Sequence, residues 1–280
     1  APWAVAIAFV VGIGAYFVPN SVAEDAIENP AIAAMLLFGA MATTDLTQHR
    51  RAWRWILAGN AMFLLGDTIY SLLERVLGSD PYPSIADVAY IAGYPMIGLG
   101  LIMMGRTGSP ERNRGAWVDA AIVALGATAL MWALVIAPTV GDTDAASMER
   151  WVALFYASGD LVLIAALAVL FGREISPTRS SGALMLSLLS LLAADVLYAV
   201  SELRDSFTVG NYVDSLWLIS YAAVALAVVD HEAADRPTPI ERRGPRLTAA
   251  RSVTLMLCAV VAPVVLLFEM QSGNTEHAVA

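Results

Sequence analysis

Apolar residues gather in nine runs along the chain, at roughly 2–18, 29–45, 53–76, 84–105, 115–138, 149–171, 182–203, 211–230 and 249–269. Crossing about 30 Å of hydrocarbon takes about 20 mostly apolar residues in a helix, so the pattern predicts nine transmembrane helices. In lipid every backbone N–H and C=O must be satisfied within the protein, and helices do this segment by segment. The expected fold class is therefore an all-α, polytopic membrane helical bundle. The first run lacks a basic leader and a small-residue cleavage site, so it reads as a helix of the bundle rather than a signal peptide.

The polar positions between the runs are not distributed evenly. Arg50, Arg51, Arg54, Arg106, Arg112, Arg114, Arg173, Arg179, Arg236, Arg242, Arg243, Arg246 and Arg251 fall in one alternating set of connections. The other set holds only Arg75, Arg150 and Arg204, together with Glu24, Asp25, Glu28, Asp80, Asp142, Asp144 and Asp205. Basic residues are retained on the cytoplasmic side, which places the first set and the N-terminus inside. A multi-pass protein of the cell membrane is expected.

Carboxylates within the runs form a repeated pattern. Asp67, Tyr70 and Glu74 make an Asp-x-x-Tyr-x-x-x-Glu sequence, and so do Asp195, Tyr198 and Glu202. At 3.6 residues per turn these offsets share one helical face, giving an acid–phenol–acid stripe. A second pattern follows each stripe: Asp87, Tyr90 and Tyr94 begin 20 positions after Asp67, and Asp214, Trp217 and Tyr221 begin 19 after Asp195. The two stripes lie 128 positions apart, a distance of four runs, so a parallel duplication of a four-helix unit is expected. The whole chain then reads as a single transmembrane domain, with one repeat unit at about 53–171 and the other at about 182–280, the second lacking its last helix.

Depth decides what these acids are for. Asp67 and Asp195 fall within the outer halves of their helices, with no arginine at comparable depth in the sequence. A charge there costs about 2.5–3.5 kcal/mol on insertion scales, so it marks either interhelical hydrogen bonding or a ligand or proton site. Asp87 and Asp214 follow Ser84 and Asn211 by three positions, which is a capping pattern as well as a site pattern. Glu74 and Glu202 reach the interface, where hydration or Arg75 and Arg204 can satisfy them. Tyr90, Tyr94, Trp217 and Tyr221 suit an interfacial aromatic belt, but their register with the aspartates favours an inward face. Asp160 is a further carboxylate in mid-span. His49, His231 and His277 lie in loops or the tail and show no ligand spacing, so no metal motif and no cofactor is read.

Composition agrees with the membrane reading: 58% of residues are hydrophobic and 15% charged, and the mean hydropathy is +0.66. Soluble domains carry about a quarter charged residues. The net charge of −9 argues against nucleic acid and anionic lipid as main partners, and the acids with aromatic walls suit a small cationic or amphipathic ligand within the bilayer. All basic residues are arginine, and the lone Cys258 allows no internal disulfide. No nucleophile elbow, phosphate loop or zinc signature occurs, so no enzyme chemistry and no catalytic residue is expected within the chain.

The string Gly66-Asp67-x-x-Tyr70, then Pro83-Ser84-Ile85-Ala86-Asp87-Val88-Ala89-Tyr90-x-x-x-Tyr94-Pro95, and later Ala194-Asp195-x-x-Tyr198 with Asp214-x-x-Trp217-x-x-x-Tyr221, resembles the N-terminal multi-helix membrane region of actinobacterial cyclic-di-GMP signalling proteins. The likeness covers most of residues 50–230. It implies a sensory input module, for which the repeated pattern itself supplies the candidate pocket residues Asp67, Tyr70, Glu74, Asp87, Tyr90, Tyr94, Asp195, Tyr198, Glu202, Asp214, Trp217 and Tyr221, and a homodimer is allowed. In that family a diguanylate cyclase or phosphodiesterase domain follows the helices, and no motif of either occurs in this sequence. A small-solute or proton-coupled transporter and a structural subunit of a membrane complex are the competing classes.

Overall fold

The computed structural model describes residues 2–15, 21–78, 82–105, 110–141, 147–172, 178–202 and 212–234. They form eight helices: α1 (Pro2–Ala15), α2 (Ser21–Ala42), α3 (Arg50–Leu77), α4 (Ile85–Gly105), α5 (Pro110–Met131, continued through a π turn at Trp132–Ile136 into Ala137–Gly141), α6 (Ser147–Gly172), α7 (Arg179–Glu202) and α8 (Tyr212–Ala234). No strand occurs among the described residues. Six helices, α3 to α8, are long and apolar enough to cross a membrane. The protein is thus all-helical, with the character of a multi-pass membrane protein. Helix α1 has 14 residues, a rise of about 21 Å, and the apolar part of α2, Ala26–Ala42, is also short. The ninth expected run, 249–269, lies outside the described residues.

Two boundaries differ from the hydropathy pattern. Helix α2 starts at Ser21 rather than 29, so Glu24, Asp25 and Glu28 lie within the helix instead of a loop. Carboxylates near a helix N-terminus complement its dipole, which lets a polar segment join an apolar helix. Helix α5 starts at Pro110, five residues early, with proline in the first helical position where its missing N–H has no intrahelical partner to lose.

The main core is built from α1, α2, α3, α4, α6, α7 and α8, with Trp53, Met35, Ile56, Ile97, Leu101, Leu163 and Leu218 fully buried. A second, smaller cluster joins Met131 and Val135 at the π turn of α5 to Ala157 of α6, with Val196 and Ala199 of α7 packed on it. At one end of the bundle Arg50 holds the close of α2: its Nε donates to the Thr43 carbonyl at 3.1 Å and its Nη2 to that of Thr44. These are carbonyls that the end of a helix leaves unpaired. His231, expected in a loop, belongs to the last turns of α8, and its ring lies 5.9 Å from that of His49 and 5.6 Å from that of Trp53.

Two helix pairs dominate the packing, α3 with α4 and α7 with α8. The first is close because its contact residues are small. A Cβ on Gly59 would stand 2.7 Å from the Gly93 carbonyl oxygen, and one on Gly100 would stand 2.7 Å from that of Ala52. Backbone cannot retreat as a side chain can, so Gly100→Ala should lower stability by about 1–3 kcal/mol, read as a lower unfolding temperature in detergent. Gly14, with no atom within 4 Å of a built Cβ, should accept alanine unchanged and serves as the control.

Hydroxyl groups hold the second pair. Ser180 Oγ donates to the Ala227 carbonyl at 2.7 Å, Ser187 and Ser220 share a hydrogen bond at 3.2 Å, and Ser190 Oγ donates to the Leu216 carbonyl at 2.9 Å. Such bonds between membrane helices contribute about 0.6 kcal/mol each on average.

Candidate functional site

The two stripes meet in one network where the Gly78 end of α3, the Ser84 end of α4, the Ser147 end of α6, the Glu202 end of α7 and the Tyr212 end of α8 come together. Asp67 of α3 accepts two phenols: Tyr90 of α4 at 2.8 Å through Oδ1 and Tyr221 of α8 at 3.1 Å through Oδ2. Asp195 of α7 accepts Tyr94 of α4 at 2.9 Å through Oδ2 and Trp217 Nε1 of α8 at 2.7 Å through Oδ1. The two sets of contacts follow one rule. Each aspartate takes the first aromatic after the acid of its own helix pair, Tyr90 or Trp217, and the second aromatic of the other pair, Tyr221 or Tyr94.

Glycine makes room for the rings. A Cβ on Gly66 would lie 2.6 Å from the Tyr90 ring, so the residue preceding Asp67 has to be small for Tyr90 to reach the carboxylate. Gly159 of α6 does the same for Tyr94, with a built Cβ 2.6 Å from that ring. Phe63 supports Tyr94 from the α3 side, edge to face at 5.1 Å.

Asp87 has both of the roles that its position allows. Its Oδ2 accepts the Ser84 N–H at 2.6 Å while Ser84 Oγ accepts the Ala86 N–H at 3.2 Å, which satisfies donors at the start of α4. Its Oδ1 accepts the Tyr156 hydroxyl of α6 at 2.6 Å. Tyr156 in turn packs its ring near Tyr90 at 6.3 Å and Tyr94 at 6.2 Å, placing it between the two aspartate centres. The sequence shows Tyr156 four residues before Asp160, one turn along the same face, but no repeat partner singles it out.

Asp160 is 3% exposed, with its carboxyl within hydrogen-bonding reach of Asp195 and its Oδ1 buried without a hydrogen-bond partner. It joins the network as a member that the Asp-x-x-aromatic pattern does not reveal.

The remaining expected site residues sit farther out. Tyr198 lies at the rim, its ring 5.7 Å from that of Trp217. Tyr70 is half-buried, Glu74 and Glu202 are exposed, and Asp214 is half-buried in the first turn of α8. Asn211, read as the cap of that helix, lies outside the described residues. The cluster thus gathers Asp67, Tyr90, Tyr94, Asp195, Trp217 and Tyr221 directly and Asp87 through Tyr156, but leaves the glutamates at its edge. Among the described residues no three His, Cys, Asp or Glu side chains converge as a metal site.

Chemically, the arrangement sets carboxylates among neutral aromatic donors in an apolar bundle. It can hold a proton, or exchange an aromatic hydroxyl for a cation, with cation–π contact available from the ring faces. Comparison of the chain with protein-family models, with curated proteins and with solved structures returned no match.

Proposed function

We propose that the protein is a membrane-embedded sensory input module, in which a small cation or cationic amphiphile acts on the acidic and aromatic cluster and alters the packing of the helices. The observation that carries this reading is the crossed hydrogen bonding of Asp67 and Asp195, which makes each helix pair depend on the other for an aromatic donor. A ligand that competes with Tyr94 or Tyr221 for a carboxylate weakens a link between pairs, and a difference in affinity between two packings is what shifts a population. The same crossing supports the duplication of a helical unit and, with the arginine distribution, nine spans with an inside N-terminus and the cluster toward the outer face. Together with the resemblance to membrane regions of cyclic-di-GMP signalling proteins, this makes a cytoplasmic effector of cyclic-di-GMP turnover the natural recipient of the signal.

The test uses the chain in lipid nanodiscs and in proteoliposomes. Potassium, calcium and tetramethylammonium are titrated while the unfolding temperature is followed, and flux of each is measured across the proteoliposome membrane. The sensor reading expects at least one of them to raise the unfolding temperature of the parent chain, to lose that effect in Asp67→Asn/Asp195→Asn, and to cross the membrane no faster than in empty liposomes. Flux that the double variant abolishes would establish the transporter instead. An unfolding temperature indifferent to all three would remove the cation from the reading and leave Asp67 as a packing residue.

A further inference from the structure

We propose that Asp160 and Asp195 form a single-proton site, one proton held between two carboxyl groups across the α6–α7 seam. This deepens the sensory reading above, on which its signalling role rests, by naming the proton as a ligand of the cluster.

Three observations converge on the pair. First, the two carboxyls stand within hydrogen-bonding reach of each other. A carboxylate only accepts, so a hydrogen bond between two of them requires one to carry a proton. Second, Asp160 is 3% exposed and its Oδ1 has no hydrogen-bond partner. Buried polar atoms are almost always paired, and an ionised carboxylate with an unmet oxygen is among the most costly groups to bury. A neutral carboxylic acid at Asp160, donating through one oxygen to Asp195, removes most of that cost. Third, the π turn of α5 packs beside the same seam, with Met131 and Val135 against Ala157 of α6 and Val196 and Ala199 of α7 beside them. Single π turns widen a helix locally and recur at functional sites.

The pair's surroundings leave the proton little competition. Asp195 has its oxygens met by Tyr94 of α4 and Trp217 of α8, which donate hydrogen bonds. Tyr156 on α6 packs its ring near that of Tyr94, and Tyr221 of α8 has its hydroxyl committed to Asp67. The π turn contributes the apolar Val135 and Ile136, with Met131 just before it. Loss of the proton leaves two negative charges in contact on α6 and α7, and like charges in a low-dielectric interior repel strongly. The expected consequence is separation along the α6–α7 seam.

Infrared difference spectroscopy on the full chain in nanodiscs tests this, using the carbonyl stretch of a protonated carboxyl group. The parent chain should show one such band from this site at neutral pH, lost as pH is raised with release of one proton per chain. Asp160→Asn and Asp195→Asn should each remove it, and Asp67→Asn should keep it. Asparagine at position 160 supplies a permanent donor to Asp195, so this variant should fold and its unfolding temperature should lose the parent's fall at high pH. A band that survives Asp160→Asn, or that is absent from the parent, overturns the proposal. A band displaced at fixed pH by sodium overturns it in favour of a metal cation. Failure of the cation titration with Asp67 intact as a packing residue leaves this result untouched, so the two readings fail separately.

Discussion

Asp195→Ala should be the most damaging truncation in the aromatic cluster. It strands the buried Tyr94 hydroxyl together with the Trp217 indole N–H, whose ring is half-buried. Leaving a buried donor unsatisfied costs about 1–3 kcal/mol, so the two donors imply a loss of up to about 6 kcal/mol with Tyr94 carrying the larger share, a large part of the stability of an ordinary domain. Asp195→Asn retains one carbonyl acceptor and should fall between parent and alanine variant. Thermal unfolding in one detergent, followed by tryptophan fluorescence, orders the three. Equal unfolding temperatures for the asparagine and alanine variants would mean that the carboxylate oxygens do not hold Tyr94 and Trp217.

Gly159→Val is expected to be nearly as severe, by a different route. The added Cβ would lie 2.6 Å from Tyr94 Cγ and 2.7 Å from its Cδ1, while Phe63, packed edge to face on the same ring, limits the room for it to shift. Relief therefore requires Tyr94 to turn away, which breaks its bond to Asp195. Overpacking costs about 1–3 kcal/mol and a hydrogen bond to a charged group contributes about 1.5–3, so a combined loss of about 3–5 kcal/mol is expected. Combining Gly159→Val with Tyr94→Leu should recover much of the overpacking loss, because the two changes share one contact and cannot add. Strict additivity of the two unfolding shifts would show that Gly159 and Tyr94 are not in contact.

The register of Asp67, Asp87, Tyr90 and Tyr94, and of their counterparts in the second half, is legible in one dimension because a helix converts offsets of three and seven into a shared face. Which aromatic reaches which aspartate is not. Tyr221 reaches Asp67 across 154 positions, and that pairing depends on how α3 and α8 neighbour one another, which no local pattern encodes. The same limit hides Tyr156 and the contact between Asp160 and Asp195. Helix existence follows from hydropathy, whereas the start of α2 does not: acids at an N-terminus are electrostatically welcome in the helix yet read as loop by hydropathy alone. The π turn at Trp132–Ile136 leaves no trace in an apolar run, because it changes the hydrogen-bond register and not the residue types. Ser180, Ser187 and Ser190 are different. Their spacing of seven and three marks a face of α7, and that signal was available.

The serine seam has a mechanical consequence. Its bonds are spread along the α7–α8 pair, from Ser190 with Leu216 to Ser180 with Ala227 nearer the opposite end. Sliding one helix along the other to its next equivalent position takes about 5.4 Å, and no smaller step lets all the hydroxyls find partners again. The pair can tilt or roll as one beam, but it resists shear along its own length. A displacement imposed at the Glu202 end is carried to the Arg179 end with little loss, whereas α6, which touches α7 sparingly, is free to part from that beam.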